Sequence, residues 1–195
     1  MKKLFFVFAL IFCHTSHAGS LTYKYAPSAN VKGDIEETDD LDENDDYTYL
    51  TLDPGTAKII SWAIDLQDAS FFDEPQNSET ALIYVDYMSI NTEDDNGHIT
   101  KNKFQSFSLG FEAVSDKYLR HGISGFGIFQ AGAGIVRFNF DDEKYRGACE
   151  LSAETGLLFF KTISLSTGVK FQIVGEPGET MAYTRVFYFG TGLRF

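Results

Sequence analysis

The stretch that decides the fold is VFYFGTGLRF, residues 186–195, in which two kinds of side chain alternate. Tyrosine, glycine and arginine occupy the even positions from residue 188 onward. The apolar residues of the other parity are Phe187, Phe189, Leu193 and Phe195. Successive side chains of a β-strand point to opposite faces, so this alternation predicts a strand with one apolar face.

The opposite end of the chain, MKKLFFVFALIFCHTSHA, has the organisation of a secretory signal peptide. Two lysines precede the apolar run 4–13, and Ser16 and Ala18 are placed for cleavage before Gly19. The run is too short to cross a bilayer as a helix, which needs about 20 residues. Cleavage would remove Lys2 and Lys3 and change the formal net charge from −12 to −14. We therefore expect residues 1–18 to be a signal peptide.

The rest of the chain is rich in short segments of alternating polarity separated by turn signals. Read back from the C-terminus, they predict seven strands, at 181–195, 162–174, 147–160, 122–140, 103–114, 79–90 and 58–69. Closed bacterial membrane barrels have an even number of strands. An eighth strand is therefore expected before residue 58.

Two segments compete for the eighth strand, and they differ in where they leave the acidic run 34–46, in which nine of thirteen residues are acidic. The first is SLTYKYAP, residues 20–27, which would put the acidic run in a long external loop. The second is YTYLTLD, residues 47–53, turning at Pro54 and Gly55, which would leave the run as a periplasmic tail. The predicted organisation is a segment 19–57 with the first strand and the acidic run, followed by the remaining strands in 58–195.

The position of the charges indicates which face of these strands is internal. A cation facing lipid at mid-membrane costs about 2–4 kcal/mol, and nearly every charge falls opposite the apolar face. An eight-stranded barrel is just wide enough for side chains to fill it, so these residues predict an interior polar network. Its members are Asp65, Asp86, Glu112, Glu150, Glu154, Lys170 and Arg194. Because carboxylates outnumber bases, we expect protonation, water or a cation to balance the excess.

Two places do not fit this alternation. Arg185 shares the parity of Phe187, and we expect it near the outer membrane interface. Gln130 and Arg137 lie seven residues apart, so a regular strand turns one of them outward. Either Arg137 lies beyond the membrane, or a bulge near residues 132–134 resets the parity.

Taken together, the signal peptide, the hairpin pattern, the segment GFGIFQAGAG at 125–134 and the aromatic C-terminus resemble small OmpA-type and opacity-like outer-membrane proteins. The resemblance implies an all-β fold, an eight-stranded antiparallel up-and-down transmembrane β-barrel in the cell outer membrane. It implies outer-membrane lipids, lipopolysaccharide and the barrel-assembly machinery as partners. The terminal pattern of Phe187, Phe189, Leu193 and Phe195 would be the assembly signal.

The residues available for catalysis favour a protein without enzymatic activity. Enzymatic barrels of this size modify lipid A, and a serine nucleophile needs a base within reach. After signal cleavage only His98 and His121 remain, both in predicted connections and without a His-x-Ser-Asn motif. We therefore predict no catalytic site and no cofactor.

The acidic run has only a partial resemblance to a calcium loop. Asp40, Asp42 and Asn44 have the first spacings of an EF-hand loop, but Asp45 and Thr51 replace its glycine and bidentate glutamate. Loose binding of divalent cations is the most we expect, and the negative net charge argues against nucleic-acid partners. The first hypothesis is a surface protein that supports envelope integrity or contacts partners through its external loops. The alternatives are a small pore and a lipid A modifying enzyme.

Overall fold

The computed structural model describes residues 19–35, 48–65, 78–91, 104–138, 145–176 and 179–194. These residues form eight long β-strands. The strands are β1 (Gly19–Ile35), β2 (Thr48–Asp65), β3 (Ser78–Asn91), β4 (Phe104–Arg120), β5 (Ile123–Phe138), β6 (Tyr145–Phe159), β7 (Ile163–Glu176) and β8 (Glu179–Arg194). Within the described ranges, no helix is long and apolar enough to cross a membrane.

Each strand pairs antiparallel with the next, and β1 pairs with β8, so the sheet closes into a barrel. The predicted fold class is confirmed. We call the end that carries Gly19, Arg194 and the turns after β4 and β6 the turn end. The loop end is the opposite one, reached by the connections 36–47, 92–103, 139–144 and 177–178.

The polarity of the barrel is inverted relative to a water-soluble protein. On the outer wall, the exposed fractions of Phe107, Phe171 and Phe189 are 51%, 45% and 65%. In the lumen, Asp86 and Lys170 are each 1% exposed. An apolar outer wall around a polar interior is the arrangement of a transmembrane barrel.

Tight turns follow β4 and β6 at the turn end, where the connection 66–77 between β2 and β3 lies outside the described residues. The turn after β4 consists of His121 and Gly122, with φ angles of 52° and 76°. In the turn after β6, the amide of Phe160 donates to the carbonyl oxygen of Gly122 at 2.7 Å. The amide of Arg194 donates to the carbonyl oxygen of Thr162, also at 2.7 Å. Three neighbouring chain segments are thereby tied together at this end.

Both candidates for the eighth strand are β-structure, but they belong to two different strands. Residues 20–27 lie in β1, whereas 48–53 form the first part of β2 rather than a separate strand. Pro54 and Gly55 do not make a turn, because the pairing of β1 and β2 shifts register beside them, between Ala26 and Val31. A bulge tolerates the missing amide hydrogen of proline. The boundary drawn between residues 57 and 58 falls inside β2.

The acidic run connects β1 and β2 at the loop end. β1 ends at Ile35 and β2 begins at Thr48, and residues 36–47 lie outside the described part of the chain. The interpretation of this run as an N-terminal tail is therefore wrong, because a strand precedes it.

Two details of β4 and β5 differ from the predictions. The segment 115–121 was expected to be a turn, but β4 continues through it to Arg120 because its ladder with β5 continues. That ladder has no register shift near residues 132–134, so no bulge resets the parity. Gln130 points into the lumen and is 2% exposed, and Arg137 has outward parity near the loop end.

Candidate functional site in the lumen

The lumen is the candidate site because the alternation of all eight strands directs polar side chains into it. Its centre is an ion cluster on three strands. Lys170 of β7 lies 2.7 Å from Asp86 Oδ2 of β3 and 2.7 Å from Glu150 Oε1 of β6. Tyr84 donates to Glu150 Oε1 at 2.7 Å, and Gln172 donates to Glu150 Oε2 at 2.7 Å. The cluster therefore ties β3, β6 and β7 together across the lumen.

A second ion pair joins β1 to β6 nearer the turn end. Lys24 Nζ lies 2.8 Å from Glu154 Oε2, and Tyr188 donates to the same oxygen at 3.0 Å. The ammonium group of Lys24 also lies 4.9 Å from the centroid of the Tyr188 ring. The side chains of Lys24 and Glu154 are each 3% exposed, so the pair is removed from water.

A third group surrounds Glu112 and is connected by hydrogen bonds. Gln130 donates from Nε2 to Glu112 Oε2 at 2.6 Å, and Ser152 donates to Gln130 Oε1 at 2.5 Å. These bonds connect β4, β5 and β6. The side-chain amide of Gln130 therefore bridges a carboxylate and a hydroxyl group inside the lumen.

Glycines make room for the buried tyrosines. A Cβ atom on Gly132 would contact the hydroxyl group of Tyr84 and would lie 2.7 Å from the carbonyl oxygen of Leu109. A Cβ atom on Gly168 would lie 2.6 Å from the hydroxyl group of Tyr188. The glycine-rich segment 125–134 thus has a local role, since it lets an aromatic side chain reach Glu150.

An apolar layer closes the lumen at the loop end. Every strand contributes at least one buried apolar side chain to it, and none is more than 8% exposed. The layer consists of Val31, Ala57, Ile90, Phe104, Val136, Ala148, Val174 and Ala182. A continuous packed layer of this kind excludes water from the region between the loop-end connections and the ion clusters.

Mostly polar side chains line the turn end of the lumen. A cavity of about 10 Å³ lies there, with room for about one water molecule. Lys24, Glu112, Glu154 and Arg194 are among its lining residues. The guanidinium group of Arg194 lies 4.5 Å from the ring centroid of Phe126.

The structure places the seven predicted network residues as follows. Five are buried in the lumen, namely Asp86, Glu112, Glu150, Glu154 and Lys170. Arg194 is half-buried at the turn end. Asp65 pairs with Leu82 through the backbone, and its side chain lies outside the described part.

Sequence reasoning omitted several residues that complete the clusters: Lys24, Tyr84, Gln130, Ser152, Gln172 and Tyr188. Lys24 could have been found, because it shares the inward parity of Thr22 in residues 20–27. Including it, the fully buried ionisable groups of the described lumen are four carboxylates and two lysines, and the half-buried groups of the same parity are Arg194, Arg146 and Asp116. The excess of negative charge is smaller than predicted.

The remaining predicted residues lie on the outer wall or outside the described ranges. Phe187, Phe189 and Leu193 point outward and are 48%, 65% and 52% exposed. Phe195, His98 and the acidic run beyond Ile35 lie outside the described residues. His121 lies exposed in the turn after β4. In the described part of the chain, no group of three or more histidine, cysteine or acidic side chains is arranged to hold a metal ion.

Comparison with known proteins identifies the fold but no sequence relative. No protein-family model matches the chain, and no curated protein matches its sequence. Neisserial surface protein A superposes with a TM-score of 0.53 at 12% identity, over 91% of this chain and 99% of that chain. Ail of Yersinia pestis superposes with a TM-score of 0.42 at 15% identity, over 93% of this chain and 100% of Ail. The outer membrane enzyme PagL superposes with a TM-score of 0.47 at 16% identity, over 85% of this chain and 97% of PagL.

The fold and the exposed apolar wall lead to the same conclusion. The chain is a small eight-stranded outer-membrane β-barrel, with a fold shared with neisserial surface protein A. Its location in the outer membrane follows from the closed barrel and the apolar outer wall, because lipid-exposed strands must leave no open sheet edge.

Proposed function

We propose that this outer-membrane barrel is a non-enzymatic, non-conducting surface protein that displays its loop-end connections outside the cell. The observation that carries the proposal is the filled lumen. Lys170 is bonded to two carboxylates at its centre, and the apolar layer closes it at the loop end. A path for ions would have to break buried ion pairs and wet an apolar layer.

The orientation of the barrel is part of this proposal. Transmembrane barrels have short periplasmic turns and longer extracellular loops. The turns at 121–122 and 160–162 lie at one end together with the connection 66–77. The connections 36–47, 92–103, 139–144 and 177–178 lie at the other end, which carries more connecting residues. The strands are 14 to 18 residues long, whereas a span needs about 9–11. They therefore extend beyond the membrane and hold these connections above its surface.

Function in surface contact rather than catalysis is supported by the position of the histidines. His121 is the histidine among the described residues, and it lies at the turn end, away from the outer leaflet in this orientation. A lipid A modifying activity would have to use His98. Replacing His98 with alanine is expected to leave the acylation of lipopolysaccharide unchanged, and a change in its mass spectrum would favour the enzyme.

The partners we propose are outer-membrane lipids, lipopolysaccharide and the barrel-assembly machinery. The outward row of Phe187, Phe189 and Leu193 on β8 supports the last of these, since an unpaired strand with an apolar face is what an assembly machinery can bind before closure. Loose binding of divalent cations by the acidic run is proposed from its charge alone.

Planar-bilayer recording tests whether the lumen conducts. The purified barrel is expected to give no stable conductance steps, and neither Asp86→Asn nor Lys170→Gln should create a current typical of an open pore. Regular steps in the unaltered protein, changed in size by either substitution, would show that the protein is a small pore.

Epitope insertion tests the display of the connections. A tag within 36–47 should be labelled by antibody on intact cells, whereas the same tag within 66–77 should be labelled only after permeabilisation. The opposite pattern would reverse the orientation and remove the proposed role of the acidic run at the surface.

A further inference from the structure

Glu112 is the buried carboxylate that has no bonded cation among the described residues. It is 4% exposed, and Gln130 donates to one of its oxygens at 2.6 Å. The other three buried carboxylates all belong to the two groups of ion pairs around Lys170 and Lys24. A buried charge without compensation is costly, so we looked for a counterion of Glu112 nearby.

Arg194 is the cation in a position to compensate Glu112. It is a half-buried residue of β8, yet its guanidinium group lies 4.5 Å from the ring centroid of Phe126 on β5. The side chain therefore crosses the turn-end mouth toward β5, the neighbour of the strand that carries Glu112. Arg194 and Glu112 line the same cavity, but no direct ion pair joins them within the described part of the chain.

Ser61 presents a third polar group to this cavity. The residue is 5% exposed and is one of the lining residues. Its hydroxyl oxygen is buried and has no hydrogen-bond partner among the described residues. Buried hydroxyl groups are nearly always bonded to another protein group or to ordered water. An unpaired hydroxyl group at this cavity therefore indicates a small polar ligand.

The charges around the cavity favour water over an ion as that ligand. Its ionisable lining residues are the cations Lys24 and Arg194 and the carboxylates Glu112 and Glu154, so the charges balance. A bound cation would be repelled by Arg194, and a bound anion would be repelled by Glu112. A guanidinium group only donates hydrogen bonds and a carboxylate only accepts them, whereas water does both. The volume of about 10 Å³ matches about one water molecule.

We propose that the turn-end cavity binds one water molecule, which bridges the Glu112 carboxylate to the Arg194 guanidinium group and takes the Ser61 hydroxyl group as its third partner. Water-mediated hydrogen bonds are enthalpically nearly as favourable as direct ones. The bridge makes Arg194 the counterion of Glu112 and connects β2, β4 and β8 at the turn end. This inference goes beyond the display function and does not depend on the orientation of the barrel.

A crystal structure of the unaltered barrel, at a resolution that shows ordered water, tests the geometry. We expect one density peak at about 2.7–3.2 Å from a Glu112 carboxylate oxygen, an Arg194 guanidinium nitrogen and Ser61 Oγ. A direct ion pair between Glu112 and Arg194, or the absence of density between them, would overturn the proposal. A metal cation, recognised by contacts of about 2.3–2.6 Å to oxygen atoms, would overturn it as well.

Urea unfolding in lipid vesicles tests the coupling of the two charges. Arg194→Gln should raise the equilibrium constant of unfolding, because Glu112 loses its counterion. The same substitution should have an effect about tenfold smaller in the Glu112→Gln background. An equal effect in both backgrounds would refute the coupling.

Arg120→Gln is the matched control, since it removes an exposed cation of the turn end that is not among the lining residues of the cavity. Its effect on unfolding should be the same in both backgrounds within about twofold. Coupling of Arg120 to Glu112 as strong as that of Arg194 would show a general effect of charge and overturn the bridge. The shift in electrophoretic mobility on heating verifies that every variant is folded. Reversed epitope labelling would refute the display function and leave these results unchanged.

Discussion

At the scale of single residues, Lys170 is the side chain on which the lumen depends most. It is 1% exposed and lies 2.7 Å from each of two carboxylates on different strands. Removing one partner of a buried ion pair costs much more than the pair contributes, because the remaining charge stays buried without compensation. The Lys170 ammonium group therefore compensates the buried charges of both Asp86 and Glu150.

Lys170→Met should destabilise the folded barrel by about 3–5 kcal/mol. Methionine replaces most of the aliphatic part of the lysine side chain, but Asp86 and Glu150 lose their cation. Urea unfolding in lipid vesicles measures the change, and Lys161→Met in an exposed turn should stay within about 0.5 kcal/mol. Adding Asp86→Asn and Glu150→Gln to Lys170→Met should recover part of the loss. A single variant as stable as the unaltered protein would contradict the role given to this ammonium group.

Gly132→Ala should cost about 1–3 kcal/mol, the range for overpacking a filled interior. The new methyl group would contact the hydroxyl group of Tyr84 and displace it from Glu150. Gly127→Ala is the matched control on the same strand, since nothing lies within 4 Å of its added Cβ atom. Equal unfolding midpoints for the two variants would show that the lumen beside Tyr84 can adjust.

At the scale of strands, alternation alone predicted which side chains face inward. The residue at which a strand ends depends on the strand that it pairs with. The inward positions of Asp86 and Glu112 follow from their own segments. The continuation of β4 to Arg120 depends on its ladder with β5, which no local pattern of polarity reveals. Likewise, Pro54 and Gly55 have the composition of a turn, and only the register of β1 shows that they lie within a strand.

Two turn residues with positive φ angles should change the free energy of unfolding in opposite directions when they are substituted. Lys161 has a φ angle of 61°, and Gly122 has one of 76°. A non-glycine residue in this region costs about 1–2 kcal/mol. Lys161→Gly should therefore raise the free energy of unfolding by up to about 1 kcal/mol, and Gly122→Ala should lower it by about 1 kcal/mol. Urea titrations of both variants measure these changes, and shifts of the same sign would contradict the backbone explanation.

At the scale of the whole molecule, the closed barrel brings together residues that the sequence keeps far apart. Lys170 and Asp86 are 84 positions apart, and they meet because β3 and β7 face each other across the lumen. Parity predicted that both point inward, but not that they pair. The second ion pair was missed because Lys24 belongs to the segment whose place in the barrel the sequence left open. Because β1 pairs with both β2 and β8, it closes the barrel and fixes the positions of both ion pairs.

The inverted polarity of the whole barrel predicts that the cost of an outward charge depends on its depth. Val169 and Ile173 lie on the same outward face of β7, with Ile173 near the loop end and 56% exposed. Val169→Arg should cost about 2–4 kcal/mol in lipid vesicles, whereas Ile173→Arg should cost about 0–1 kcal/mol, because only the latter guanidinium group reaches the interface. Unfolding in urea compares the two variants under one condition. A soluble barrel would tolerate both changes equally, so equal costs would refute a lipid environment for this wall.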